Sequence, residues 1–234
     1  MNSAVLVLTA HGSADPRAAA NTHAVAHRIR RLRPGLDVRV AFCEQSAPNL
    51  RDVLAGSRGS VVVAPLLLAD AYHARVDIPA MIANSGAAQA DVLGEDGRLV
   101  AVLRERVCAL DVSRLDPNVG VIVVAVGSSR KAANIRTSTV AGALVSGTRW
   151  AAMTAFATGP RPSLQQARER LRRLGATRLV ITPWFLAHGR ITDRVAEYAD
   201  VQGIPMAEPL GAHHLVAATV LDRFDRAIAD RAAA

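Results

Sequence analysis

Residues 5–13, VLVLTAHGS, decide the fold, because a matching segment returns in the second half as residues 122–128, IVVAVGS. Each segment is a short apolar, β-branched run that ends in a Gly-Ser turn, which is typical of a buried parallel strand entering a helix. His11 in the first segment aligns with Val126 in the second. The sequence therefore predicts two copies of one structural unit that differ in their chemistry.

Two further motifs repeat in the same order. The segment AFCE, which ends at Glu44, aligns with AFAT, which ends at Thr158. The segment PLLLA continues to His73, whereas its counterpart PWFLA continues to Ile191. Glycine, proline and apolar positions persist in both copies, while two histidines and one carboxylate are lost together from the second. This pattern predicts one functional site on the first copy, with the second copy kept as scaffold.

Apolar runs alternate with longer amphipathic segments along the chain, which is the pattern of βα units in a parallel sheet. We expect an α/β fold of two similar doubly wound parallel-sheet domains related by a pseudo-two-fold axis, each with four βα units. Pro117 and its polar neighbours mark the linker. The domains are expected at residues 1–115, which carry the functional groups, and 116–234, which complete the cleft.

The predicted elements follow the same repeat. The predicted strands cover residues 5–9, 38–42, 60–65, 91–93, 119–126, 149–156, 178–182 and 206–209. The predicted helices cover residues 18–32, 49–54, 78–83, 99–110, 132–145, 163–174, 192–198 and 214–229.

The composition favours a small acidic partner. The formal net charge is +8, and Lys131 is the only lysine, so nearly all positive charge is arginine, which suits carboxylates and phosphates. Nucleic acid is disfavoured because aromatic residues make up only 3% and no base-reading motif is present. No apolar run approaches the ~20 residues of a membrane helix, and no signal-peptide pattern is found. We therefore expect a cytoplasmic protein, with Cys43 and Cys108 reduced because their spacing indicates neither a disulfide nor a metal site.

Three polar side chains are expected to meet at one edge of the first sheet. His11 follows the first predicted strand, Glu44 ends the second and His73 follows the third. In an open α/β sheet, ligands bind beyond the carboxyl ends of the strands. Two imidazoles and one carboxylate suit divalent iron, cobalt, nickel or zinc, and the lack of a thiolate allows the metal to exchange. If the second strand extends through Glu44, alternation of its side chains points Cys43 into the core.

Other polar residues near the turns are candidates for holding an acidic ligand: Ser13, Arg75, Ser128, Arg130, Lys131, His188 and Arg190. A Gly-Ser turn before a helix can bind an anion through free backbone N–H groups, but a plain connection with exposed cations explains the pattern equally well. His23 and His27 are expected on a solvated helix face. Tyr72, Trp184 and Phe185 are expected to pack in the protein rather than stack on a ligand.

The segments TAHGSADPRA, AFCEQSAPNL and PLLLADAYHARVDIP contain these residues and resemble the motifs of the CbiX/SirB-type sirohydrochlorin chelatases, the class II tetrapyrrole chelatases. The likeness extends over the whole chain, as in the two-repeat members. It implies ATP-independent insertion of Fe²⁺ or Co²⁺ into a polycarboxylate tetrapyrrole, in siroheme or cobalamin biosynthesis. It also implies that His11, Glu44 and His73 handle the metal, which is a substrate, and accept pyrrole protons without an organic cofactor. Residues 69–72 depart from the family pattern, which usually carries glycine there.

The same residues fit other classes of protein less well or equally well. A histidine phosphatase needs an arginine before its histidine, but Ala10 precedes His11. A non-catalytic carrier of tetrapyrrole or metal stays open, because the same ligands serve storage and insertion. A purely structural paralogue is disfavoured because His11, Glu44 and His73 are all intact. A monomer is expected, since two fused repeats can form one cleft by themselves.

Overall fold

The computed structural model describes residues 4–233 and confirms a parallel α/β architecture in both repeats. Strands β1 to β7 are Val5–Ala10, Asp37–Phe42, Val61–Pro65, Ala88–Gln89, Val119–Ala125, Ala151–Phe156 and Arg178–Pro183. Helices α1 to α8 are Pro16–Leu32, Leu50–Ala55, Ile78–Ile82, Gly97–Cys108, Lys131–Val145, Leu164–Arg173, Arg190–Val201 and His214–Ala233. A π-helical turn at His73–Asp77 runs directly into α3.

The first sheet has the strand order β2-β1-β3-β4, with all pairs parallel. Strand β1 lies inside the sheet, and Leu6, Val7 and Leu8 are completely buried, as the continuous apolar run predicts. Parallel pairing brings the carboxyl ends of β1, β2 and β3 to one edge of the sheet. The residues that follow these strands therefore become neighbours.

The second sheet has the order β6-β5-β7, and every residue of its central strand β5 is buried. The strand predicted at 206–209 is wrong: Met206 makes only an isolated bridge to Ile181. Pro205 precedes this segment and Pro209 ends it, and proline supplies no N–H for a ladder. The short strand predicted at 91–93 is also misplaced, since the pairing falls on Ala88–Gln89, where packing context outweighs the propensity of the side chains.

The compact units of the structure differ from the sequence repeats. One unit runs to Gly94 and resumes at Ala212, and the other comprises Glu95–Gly211. Helix α4 packs on α5 and β7, whereas α8 packs on α1 and β3. The predicted division after residue 115 separates the repeats, but the last helix of each repeat belongs to the unit built on the other repeat's sheet.

Side-chain caps start several helices close to the strand ends. The Asp15 carboxylate accepts a hydrogen bond from the Arg17 N–H at 3.0 Å and Pro16 begins α1, while Asn49 caps α2 in the same way at 2.9 Å. These caps satisfy N–H groups that a helix start leaves unpaired. None of the helices within residues 4–233 combines the length and the apolar character needed to cross a membrane.

Candidate active site

The turn after β1 brings the backbone of Glu44 against that of His11. Gly12 has a φ of +97°, and a Cβ added there would lie 1.7 Å from the Glu44 carbonyl oxygen. Only glycine allows both this conformation and this approach. The backbone N–H of Glu44 donates to the carbonyl of His11 at 3.0 Å, and that of Cys43 to the carbonyl of Ala10 at 3.1 Å. The pairing of β1 with β2 thus continues beyond the strands and places Glu44 beside His11.

The three predicted side chains do converge. His11 Nε2 lies 3.1 Å from Glu44 Oε1. The ring centroids of His11 and His73 are 3.9 Å apart, with 31° between the ring planes. All three side chains are partly exposed, so a ligand has access to them from solvent. The structure therefore confirms that these residues meet at the carboxyl edge of the first sheet.

Asp77 is a fourth member of the cluster that the sequence analysis missed. His73 Nδ1 lies 2.5 Å from Asp77 Oδ2 across the π-helical turn. A carboxylate at this nitrogen holds the proton on Nδ1 and leaves the lone pair on Nε2. The spacing of four residues was the available signal, because residues i and i+4 lie on one face of a helical turn.

The environment of His11 favours the neutral imidazole. Burial lowers the pKa of His11 below its ordinary value of 6.5, and the charge of His73 lowers it further, while Glu44 and Asp77 partly offset these effects. His11 Nδ1 is buried and has no hydrogen-bond partner among residues 4–233. Because metal binding requires an unprotonated imidazole nitrogen, this environment keeps His11 ready to act as a ligand.

Cys43 lies beside the cluster but is chemically inert there. Burial raises the pKa of its thiol to about 11, and the charges of Asp77 and Glu44 add to this effect. The side chain packs against the core formed by residues such as Leu50 and Ile78, which agrees with its predicted inward direction. The thiolate, which is the metal-binding form of cysteine, is therefore scarce at neutral pH.

The titratable groups are arranged as pairs in this structure. Within residues 4–233, no group of three or more histidine, cysteine, aspartate or glutamate side chains has a ready-made metal-binding arrangement. His11 pairs with Glu44, and His73 pairs with Asp77.

Two of the predicted substrate-binding residues in the first repeat are already engaged. Arg75 Nε donates to both carboxylate oxygens of Asp70 at 2.9 Å, and this partner raises the pKa of Arg75. The backbone N–H of Ser13 donates to Ser46 Oγ at 3.1 Å, and the Ser13 hydroxyl accepts from the N–H of Asp15 at 3.0 Å. Ser13 therefore holds the turn together, and one edge of the Arg75 guanidinium is engaged by Asp70.

The remaining candidates lie in the Glu95–Gly211 unit. Ser128 Oγ accepts from the N–H of Arg130 at 3.1 Å. Lys131 begins α5 and Arg190 begins α7, and both are exposed. His188 Nε2 lies 2.8 Å from Glu208 Oε2 in an exposed ion pair.

The predictions for other residues have mixed outcomes. His23 and His27 are exposed on α1, and Trp184 and Phe185 are buried, as expected. Tyr72 contradicts the prediction that it packs, since 57% of it is exposed. It immediately precedes the π-helical turn, and its ring contacts His73 edge-on and otherwise faces solvent.

Fold and site together define a two-repeat parallel α/β protein with a histidine–carboxylate cluster on one sheet edge. The sequence profile of the CbiX family matches residues 5–110 and again residues 120–227, so the chain belongs to this family. A search of curated protein sequences finds no match to the chain.

Solved structures share the fold over almost the entire chain. SirB from Bacillus subtilis with Fe³⁺ has a TM-score of 0.85 at 18% identity, covering 99% of this chain and 98% of that chain. SirB from Bacillus subtilis subspecies spizizenii in complex with cobalt has a TM-score of 0.77 at 17% identity, with 96% and 95% covered. CbiX, described as the terminal enzyme for biosynthesis of siroheme in denitrifying bacteria, has a TM-score of 0.69 at 20% identity, with 95% and 98% covered. The similarity establishes the fold of this chain.

Proposed function

We propose that this protein is a sirohydrochlorin chelatase, which inserts Fe²⁺ or Co²⁺ into sirohydrochlorin without ATP in siroheme or cobalamin biosynthesis. The observation that carries the proposal is the contact of His11 with both Glu44 and His73 at the carboxyl edge of the first sheet, in a member of the CbiX family. Structures of the same fold are described with Fe³⁺ and with cobalt, the metals of this chemistry.

The reaction exchanges protons for a metal ion. One divalent cation enters the macrocycle, and two pyrrole N–H protons leave it, so the site has to deliver a metal and accept protons close by. The Nε2 lone pair of His73 is oriented by Asp77 at 2.5 Å, which makes this nitrogen the proposed acceptor of a pyrrole proton. General-base assistance of this kind typically contributes about 10²–10⁴ in rate.

His11 and Glu44 are suited to hold the incoming metal. Their 3.1 Å contact joins an imidazole nitrogen and a carboxylate oxygen, and a metal ion that displaces the proton between them gains both as ligands. The lowered pKa of His11 favours this exchange, because less work is needed to remove its proton. Imidazole and carboxylate ligands accept both iron and cobalt, and the absence of a thiolate keeps the metal transferable.

The acidic groups of the tetrapyrrole require cations. Arg130, Lys131 and Arg190 are exposed, and we propose that they hold substrate carboxylates together with Ser128 and His188. Charge-assisted hydrogen bonds of this type are roughly twice as strong as neutral ones. Exposed charges are screened by salt, so we expect the KM for the tetrapyrrole to rise with ionic strength.

The proposal is tested by an anaerobic absorbance assay of the purified protein with sirohydrochlorin and either Co²⁺ or Fe²⁺. The His11→Ala and His73→Ala variants should lose catalytic conversion above the spontaneous rate while keeping their circular dichroism spectra. His188→Ala should cost much less turnover than either variant, since His188 pairs with Glu208 on the second repeat and is proposed only to help hold substrate carboxylates. Stoichiometric binding of sirohydrochlorin without turnover by the wild-type protein would contradict the proposed enzyme and favour a non-catalytic carrier.

A further inference from the structure

The second repeat contains an open pocket of about 790 Å³ beside the turns that follow β5 and β6. The turn after β5, which includes Gly127, and the turn after β6, which includes Thr158, line this pocket. The backbone N–H of Thr158 donates to the carbonyl of Val126 at 3.0 Å, which repeats the pairing of Glu44 with His11. The pocket is therefore built on turns equivalent to those that carry His11 and Glu44, but among the described residues its lining includes Thr158 and not Val126 or Ile191, the counterparts of His11 and His73.

In the first repeat, two side chains of the turn after β2 accept hydrogen bonds from the corresponding backbone donors. Ser46 Oγ accepts from the N–H of Ser13 at 3.1 Å, and Gln45 Oε1 accepts from the N–H of Ala14 at 3.2 Å. The aligned residues of the second repeat are Gly159 and Pro160, which have no side-chain oxygen. The second repeat therefore lacks both of these side-chain acceptors.

One backbone donor in the second repeat lacks the partner that its counterpart has. Ser129 aligns with Ala14, but its N–H has no hydrogen-bond acceptor within the described part of the chain. The N–H of the preceding Ser128 is taken by Asn134 Oδ1 at 2.9 Å. In the first repeat an amide oxygen occupies the position in front of this donor, so an oxygen of a bound anion fits the equivalent position in the second.

The residues of these turns carry negative charge in the first repeat and positive or no charge in the second. Glu44 is replaced by Thr158, and Asp15 is replaced by Arg130. Both carboxylates of the first repeat's turns are thus absent, and no aspartate or glutamate is found among the described residues that line the pocket.

Two cations take part in the lining instead. Lys131 and Arg161 both border the pocket, and neither side chain makes a hydrogen bond or an ion pair among residues 4–233. Ile135, which is 59% exposed, and Phe156 give the same pocket an apolar part. Unpaired cations beside an apolar wall match a carbon skeleton that carries acid groups better than they match an inorganic ion.

We propose that this pocket binds an organic anion through a carboxylate. The carboxylate oxygens accept hydrogen bonds from the N–H of Ser129 and from Lys131 and Arg161, while the carbon skeleton lies against Ile135 and Phe156. Two sources supply this chemistry. One is a peripheral carboxylate of the tetrapyrrole, which rests on the proposed function, and the other is a free di- or tricarboxylate, which does not.

The experiment is isothermal titration calorimetry at low salt on the metal-free protein, with citrate and with metal-free sirohydrochlorin as separate probes. The Lys131→Gln/Arg161→Gln double variant should weaken binding of at least one probe by about tenfold or more, because two charge-assisted contacts are lost. The matched control is Arg28→Gln/Arg31→Gln, which removes the same charge from an exposed face of α1 and should bind as the wild-type protein does. Circular dichroism melting curves check that both variants fold.

The two probes separate the sources. Loss of citrate binding in the pocket variant assigns the site to a free carboxylate, and loss confined to sirohydrochlorin assigns it to the substrate. A third outcome is that sirohydrochlorin binds no form of the protein while citrate binding still depends on Lys131 and Arg161. That result would refute the proposed function and support the proposed carboxylate site. Unchanged affinities in the pocket variant, or equal losses in the Arg28/Arg31 control, would overturn the proposal.

Discussion

Gly12→Ala is expected to separate Glu44 from His11 by a defined distance. The added Cβ would lie 1.7 Å from the Glu44 carbonyl oxygen and 2.9 Å from its carbonyl carbon, whereas ordinary contact begins at 3.4 Å. The Glu44 turn must therefore retreat by about 1.7 Å, or the Gly12 turn must give way by as much. Neither movement can be absorbed by a flexible side chain, because both partners are backbone.

The Gly12→Ala substitution lowers the free energy of unfolding in two ways. A displacement of this size breaks the hydrogen bond from Glu44 N–H to His11 O, now 3.0 Å, at about 1 kcal/mol. Alanine at a φ of +97° adds roughly 1–2 kcal/mol of backbone strain. We expect the free energy of unfolding to fall by about 2–3 kcal/mol as the sum of these effects. The rate at saturating substrate should fall by about 10²-fold, because a misplacement near 1 Å is enough to disturb catalytic geometry.

Gly127→Ala provides the matched control. Gly127 has a φ of +98°, and its added Cβ would lie 1.7 Å from the Gly159 carbonyl oxygen. Urea denaturation should therefore show a similar loss of stability in both variants, while kcat in the anaerobic metal-insertion assay should fall only in Gly12→Ala. Because Gly127 also borders the anion pocket, kcat and not KM is the quantity to compare. Equal kcat losses in the two variants, or an unchanged kcat in Gly12→Ala, would refute the reasoning.

Three further outcomes follow from the cluster. Asp77→Asn should lower kcat by about 10–100-fold, because His73 loses the partner that sets its tautomer. The circular dichroism spectrum should be unchanged, and a wild-type kcat in this variant would contradict the proposed role of Asp77. The pKa of His11 is lowered in the folded state, so the unfolded chain binds a proton at this residue more readily, and the free energy of unfolding should decline as pH falls below 6.5. Urea denaturation at several pH values measures this decline, which should be less steep in His11→Ala. With a pKa of about 11, Cys43 should react with iodoacetamide at pH 8.5 on the order of 10²-fold more slowly than an unperturbed thiol; the rate is measured by mass spectrometry in a Cys108→Ser background, and rapid labelling would contradict it.

The sequence predicts the cluster well because its geometry follows from topology. Parallel pairing of β1 with β2 and β3 brings the residues after these strands together, so the contact of His11 with Glu44 and His73 follows from their positions in the chain. Asp77 was missed because a π-helical turn has no periodic apolar pattern, and His73 and Asp77 both precede the helix predicted at residues 78–83. The exposure of Tyr72 has the same origin, since its position depends on that turn.

Local sequence patterns do not predict that the last helix of each repeat belongs to the unit built on the other repeat's sheet. An amphipathic pattern states that α4 and α8 each need an apolar surface, but it does not state which sheet supplies it. The predicted division after residue 115 therefore falls between the two matched repeats, whereas the compact units are divided after Gly94 and after Gly211. The lost strand at 206–209 shows a related effect, because Pro205 and Pro209 override an apolar segment in a repeat position.

The position of α8 also gives the two units an order of completion during synthesis. The unit Glu95–Gly211 is covalently finished once Gly211 has been made, but the unit that carries His11 still lacks the helix that covers α1 and β3. At translation rates of about 5–20 residues per second, the 117 residues between Gly94 and Ala212 impose a delay of roughly 6–23 s. The half of the protein that leaves the ribosome first is thus the half that finishes last, and it holds an apolar surface uncovered for that interval.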